Sequence, residues 1–145
     1  YEGDSSAGGS TVVMTPDPKR SFLTAGFTVP DFPPSVNHYW MTSGKRRYLS
    51  EEGRAWQKLV WYTSRTLPLD KWMHFNSPLG MEVTFTFPDN RLRDVDNYLK
   101  GTLDALTGIF YKDDSQIQKL TVQKQVIKGQ RSTFIFLRRV HEPTA

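Results

Sequence analysis

From Met81 to Phe87 the chain alternates without a break, with Met81, Val83, Phe85 and Phe87 on one side and Glu82, Thr84 and Thr86 on the other. A period of two predicts a half-buried strand. Ser21 to Val29, rich in Phe, Thr and Val and closed by Pro30, predicts an earlier strand. Ile117–Ile127 and Ser132–Val140 predict two more, joined as an antiparallel hairpin around Lys128-Gly129-Gln130-Arg131. Elsewhere the period lengthens to that of a helix. Trp56, Leu59, Val60, Thr63 and Leu67 form one stripe, with Ser50 as cap, Glu51 and Glu52 in the first turn and Pro68 at the end. Leu99, Leu103 and Leu106 form a shorter one, opened by Asp94 and Asp96 and stopped by Gly108. Tyr39-Trp40 and Arg47-Tyr48 flank Thr42-Ser43-Gly44-Lys45 and predict a small hairpin. No internal repeat is visible. The expected architecture is α+β, a mixed sheet of about four main strands with two helices packed on it, in a single domain over residues 21–145.

Residues 1–20 are Gly, Ser, Thr and Pro rich without periodicity, and are expected to form a flexible tail. Met14 is a candidate natural start, the residues before it then being added sequence; a genuine flexible arm is the alternative. At 145 residues the chain can bury a modest core without staples. It has no cysteine, no run apolar enough to cross a membrane, and a Tyr-Glu-Gly-Asp start unlike a signal peptide. These point to a soluble cytoplasmic protein.

Charge changes the picture most between Arg91 and Ser115. Asp94, Asp96, Asp113 and Asp114 flank one short helix, with Arg91, Arg93 and Lys100 among them. At about 100° per residue, Lys100 lies about 40° round from Asp96 and Asp104 about 80°, so a charged strip borders the leucines. An antiparallel return after Gly108 is expected to bring Asp113 and Asp114 beside the carboxylates that open the helix. Crowded carboxylates repel unless a cation lies between them. Oxygen donors suit Mg²⁺ or Mn²⁺, and the scattered His38, His74 and His141 argue against zinc. Such carboxylates beside Arg and Lys suit metal-assisted attack on a phosphodiester. The net charge is +4; without those four Asp, 19 basic side chains face 11 acidic ones, a net +8 that suits a polyanionic partner.

Each feature also has a plainer reading. Asp-x-Asp at a helix start is usually capping, and Asp113-Asp114 alone usually a turn. Lys45, Arg46 and Arg47 at the hairpin tip are either a solvated turn or a track for a DNA arm. Trp61, among Arg54, Lys58 and Arg65, can stack on a base, fill a subunit interface or pack within the chain. Phe87 is a core residue by pattern, with a place at a DNA junction as the alternative.

The run Arg93-Asp94-Val95-Asp96-Asn97, then Lys100, Asp104-Ala105-Leu106 and Asp113-Asp114-Ser115-Gln116, resembles the signature of the RusA family of Holliday-junction resolvases. The resemblance extends to Pro33-Pro34-Ser35-Val36-Asn37 and to Tyr48-Leu49-Ser50 ahead of Glu52-Gly53-Arg54, and covers about Phe22 to Val140. It implies a Mg²⁺-dependent endonuclease, Mn²⁺ substituting, that cuts four-way DNA junctions as a homodimer. By the same resemblance Asp94, Asp96 and Asp114 are metal-binding and catalytic, Lys100 is catalytic, and Arg93 and Lys100, helped by Arg91, meet the DNA backbone. Asn97, Asp104 and Asp113 are expected to orient the site through hydrogen bonds. A non-catalytic DNA-binding protein, and a carboxylate-metal nuclease acting on flaps or other branched DNA, are the alternatives.

Overall fold

The computed structural model describes Val13–Met14 and residues 24–140. Seven strands occur there: β1 (Val13–Met14), β2 (Thr24–Val29), β3 (Trp40–Ser43), β4 (Arg46–Leu49), β5 (Leu79–Phe87), β6 (Ile117–Val126) and β7 (Ser132–Arg139). The helices are α1 (Val36–Tyr39), α2 (Glu51–Ser64) and α3 (Asp96–Leu106). Strands β1-β2-β7-β5-β6, in that order, form a mixed sheet, and β3 and β4 a separate ribbon. The α+β class follows. Most of the expected tail lies outside the described residues; within it Val13 and Met14 pair with Gly26 and Ala25.

The expected hairpin between the last two long strands does not form. β6 runs parallel to β5, while β7 pairs antiparallel with both β5 and β2. The Lys128–Arg131 connection instead crosses the end of β5, where Ile127 N–H bonds to Phe87 C=O at 3.0 Å and Gly129 N–H to Pro88 C=O at 3.1 Å. Burial explains the order. β5 is buried at most positions and takes a central place, whereas β6 is largely exposed and is left at an edge. Strand β5, helix α3 and strand β6 thus make a β-α-β crossover, the connection that parallel neighbours require.

Alternation sets the two faces of the sheet. Ala25, Phe27, Val29, Met81, Val83, Phe85, Phe87, Ile135 and Leu137 join one core with Trp56 and Val60 of α2 and Ala105 and Leu106 of α3. Helix α2 starts as expected, with Ser50 Oγ accepting from Gly53 N–H at 2.9 Å. The buried stripe of α3 differs from the leucine stripe: Gly101, Thr102, Ala105 and Leu106 are buried, whereas Leu99 and Leu103 are half-buried. Gly101 decides this. A Cβ there would lie 2.5 Å from Tyr39 Cε2, so only glycine lets α3 press against the buried Tyr39 ring. Its carbonyl accepts from Trp56 Nε1 at 3.1 Å and from the Tyr39 hydroxyl at 3.5 Å.

Candidate active site

The carboxylates that open α3 are not caps. Val95 occupies the cap position in helical conformation (φ −61°, ψ −32°) with no side-chain hydrogen bond, because the chain is already turning before Asp96. Asp94 contributes only its backbone carbonyl, which accepts from Asn97 N–H at 3.0 Å. The carboxylates of Asp94 and Asp96 are exposed and, among the described residues, neither accepts a hydrogen bond nor pairs with a cation. Negative charge at a helix start is favoured, but here its oxygens stay open for a ligand.

The loop bearing Asp94 is held from three sides. Arg93 Nη1 meets Asp89 Oδ1 at 2.9 Å and Asp89 C=O at 3.3 Å, and its guanidinium carbon lies 4.6 Å from the Phe87 ring centroid and 5.5 Å from that of Phe32. The Arg93 side chain is only 7% exposed. It is therefore an internal clasp rather than the free cation expected to grip DNA. Asp89 also accepts from Arg91 N–H at 3.0 Å, and that bond, followed by the Arg93 guanidinium, holds its carboxyl below the usual range. From β6, Lys124 Nζ donates to the Arg93 carbonyl, next to Asp94. Arg91 and Leu92 stay exposed.

Asp114 reaches the site by a different route from the expected one. The chain after α3 is tied back to the helix by the Tyr111 hydroxyl, which donates to Leu103 C=O at 2.7 Å. Asp113 then caps a 3₁₀ turn over Asp114–Gln116, accepting from Ser115 N–H at 2.9 Å. The Ser115 hydroxyl and N–H, with Lys100 nearby, hold its carboxyl below the usual range. Gln116 locks the turn: its Oε1 accepts from Lys112 and Asp113 N–H, and its Nε2 donates to Phe75 and Ser77 C=O. This delivers Asp114 to Lys100. Lys100 Nζ lies 3.0 Å from Asp104 Oδ1 and 3.5 Å from Asp114 Oδ2. The hydrogen bond to Asp104, then the charges of Asp104 and Asp114, raise the Lys100 pKa above its ordinary value.

Asp114 therefore pairs with Lys100, one turn along α3 from Asp96, while the Asp113 carboxylate is taken up by the cap of its own turn. Among the described residues, no three acidic or histidine side chains lie close enough together to hold a metal ion. The donor chemistry nevertheless fits a hard divalent cation: Asp94 and Asp96 offer unpaired carboxylate oxygens, and Mg²⁺ uses one or two carboxylates with water and substrate phosphate rather than a closed protein cage. Asp104 serves as a partner of Lys100, and Asn97 lies half-buried in the first turn of α3. Trp61 stays exposed under the Arg65 guanidinium, 4.0 Å away, and lines an open cleft of about 600 Å³ with Gln57 and Asp104. Phe87 is core.

Three positioning residues were not singled out from the sequence. Gln116 had a signal, since Asp113-Asp114-Ser115-Gln116 has capping-box spacing. Lys124 and Asp89 had none, because their bonds depend on tertiary placement.

Residues 31–137 match the family described as endodeoxyribonuclease RusA. The crossover junction endodeoxyribonuclease of Enterobacteria phage HK97 is 40% identical over 101 residues, covering 69% of this chain and 82% of the phage protein. Those of Shigella sonnei strain Ss046 and Escherichia coli strain K12 are each 36% identical over 110 residues, 74% of this chain and 89% of theirs. A match over this span, carrying the arginine-clasped acidic loop, Lys100 and the capped Asp114 turn, shows that the chain belongs to the RusA endodeoxyribonuclease family.

Proposed function

We propose that this protein is a divalent-metal-dependent endodeoxyribonuclease that resolves four-way DNA junctions by paired, symmetric phosphodiester hydrolysis. The observation that carries the reading is the pair of open carboxylates, Asp94 at the end of a clasped loop and Asp96 at the start of α3, in a chain of this family. Bound Mg²⁺, or Mn²⁺ in its place, would supply an activated water and stabilisation of the leaving 3′ oxygen. Asp94 and Asp96 are the residues to hold it, with water and a substrate phosphate completing the donor set, and Asp114 acts beside them through Lys100.

The chain's own groups do the rest. Lys100 presents an ammonium beside the phosphate to offset developing charge, and Asp104 holds that ammonium in place and keeps it protonated. Arg91, exposed next to the clasp, contacts the DNA backbone. Arg93 and Lys124 act on the loop, orienting Asp94, and Asp113 with Gln116 orient Asp114. Asn97 stabilises the same turn of α3. Two matched cuts call for two copies, so the active species is a two-fold symmetric homodimer. No helix among the described residues is long and apolar enough to cross a membrane.

The test is cleavage of an immobile four-way junction, with linear duplex of the same sequence as control, in Mg²⁺ and in EDTA. Paired nicks confined to the junction and lost in EDTA are expected. Asp96→Asn should bind the junction and not cut it. Undiminished cutting by that variant would remove Asp96 from the site, and preferred cutting of flaps would replace the substrate assignment.

A further inference from the structure

The β3–β4 ribbon stands apart from the main sheet and serves no part of the core beyond its base. Its two-residue turn is Gly44–Lys45, with Gly44 at φ +64°, a conformation that puts glycine first in a type II′ hairpin turn and Lys45 at the tip. The register Thr42↔Arg47 and Ser43↔Arg46 sends Arg47 to one face and Arg46 to the other. Arg47 is stacked on Trp40 of its own face, its guanidinium carbon 4.1 Å from the ring centroid, and is thereby pre-oriented. Every residue from Met41 to Tyr48 is exposed, and among the described residues none of the three cations has an acidic partner.

Cations at the tip and on both faces suit a ribbon flanked by two rows of negative charge. The groove of a duplex presents that arrangement, and its width admits a two-stranded ribbon. The root of the ribbon is fixed to the candidate site. Tyr39, immediately before β3, is buried against Gly101, the residue after Lys100, and Ser50, immediately after β4, donates to His38 C=O at 2.6 Å while its N–H bonds to Tyr39 C=O at 2.9 Å. A duplex arm held by the ribbon would therefore be held in register with Lys100.

We infer that the β3–β4 ribbon is a DNA-arm clamp, in which Lys45, Arg46 and Arg47 neutralise backbone phosphates of a duplex arm beside the incision. This rests on the proposed junction-cutting function and names the surface that grips the substrate outside the acidic site.

The experiment measures binding of a four-way junction over a range of salt concentrations, using full-length protein carrying Asp96→Asn so that the DNA stays intact. The parent is compared with Lys45→Ala/Arg46→Ala, which keeps the Arg47–Trp40 stack, and with Lys71→Ala/Lys128→Ala, which removes the same charge elsewhere. Each lost phosphate contact lowers the slope of log affinity against log salt by about 0.9, so the ribbon variant should lose about 2 units of slope for each protomer bound, about 4 for the two-fold dimer. The charge-matched control should lose far less. A ribbon variant with the parent's slope, or a control that falls equally, overturns the clamp while leaving the proposed function standing. A parent that binds no junction at all refutes the proposed function, and the clamp with it.

Discussion

Gly101→Ala sets helix propensity against packing, and the structure decides the sign. In an exposed helix the change would stabilise by about 1 kcal/mol. At this position the new Cβ would stand 2.5 Å from Tyr39 Cε2, 2.7 Å from Cδ2 and 3.2 Å from Pro33 Cβ. Carbon atoms rest at about 3.5–4.0 Å, so the ring must withdraw by about 1 Å. It has little room to do so: Tyr39 is 1% exposed, its hydroxyl accepts from Gln57 Nε2 at 3.0 Å, and burial pushes its pKa up to about 12. Overpacking a full site costs about 1–3 kcal/mol, and the short distances place this case in the upper half. The net loss should be about 1–2 kcal/mol, a fall in Tm of about 3–6 °C. Urea unfolding followed by tryptophan fluorescence measures it, with Trp56 reporting directly because it donates to the Gly101 carbonyl. In a Tyr39→Val background the ring is gone, and the same substitution should stabilise by about 1 kcal/mol. If Gly101→Ala stabilises the parent protein as well, the close approach of α3 to Tyr39 is wrong.

Other perturbations follow from single contacts. Ser50→Ala removes the α2 cap and the bond to His38 C=O, and should lower stability by about 1 kcal/mol or somewhat more in thermal melts; a neutral result would show that the cap does not hold the ribbon's root. His74 is buried with Nε2 unpartnered, and burial, then the charge of Arg139, depress its pKa below the ordinary 6.5. The unfolded chain takes up a proton near that value while the folded one resists it, so stability present above it declines as pH falls below it. His74→Phe should flatten that decline below about pH 6.5 in unfolding measurements, and an unchanged slope would assign the acid sensitivity to other groups. The cleavage behaviour of Asp96→Asn and the salt dependence of the ribbon variant test the site and the clamp.

The sequence by itself determined the local elements. Alternation from Met81 to Phe87, the Ser50 cap with its apolar stripe, and the Gly44 turn are local features, and each appears where its pattern puts it. The residue types at Asp94, Asp96, Lys100 and Asp114 were enough to point to oxygen ligands and a phosphodiester. Strand order was decided only in three dimensions. Hydrogen bonding lets Ser132–Arg139 pair with several strands, and the choice of β5 and β2 over β6 follows from which strand has apolar residues to bury. The roles of the charged residues were decided there too. Arg93 and Asp94 are neighbours in sequence, yet Arg93 is sequestered by Asp89 and two aromatic rings while Asp94 faces solvent. Composition supplies a charge, but whether it is spent on a partner inside the protein or kept for a ligand depends on contacts that only tertiary packing creates.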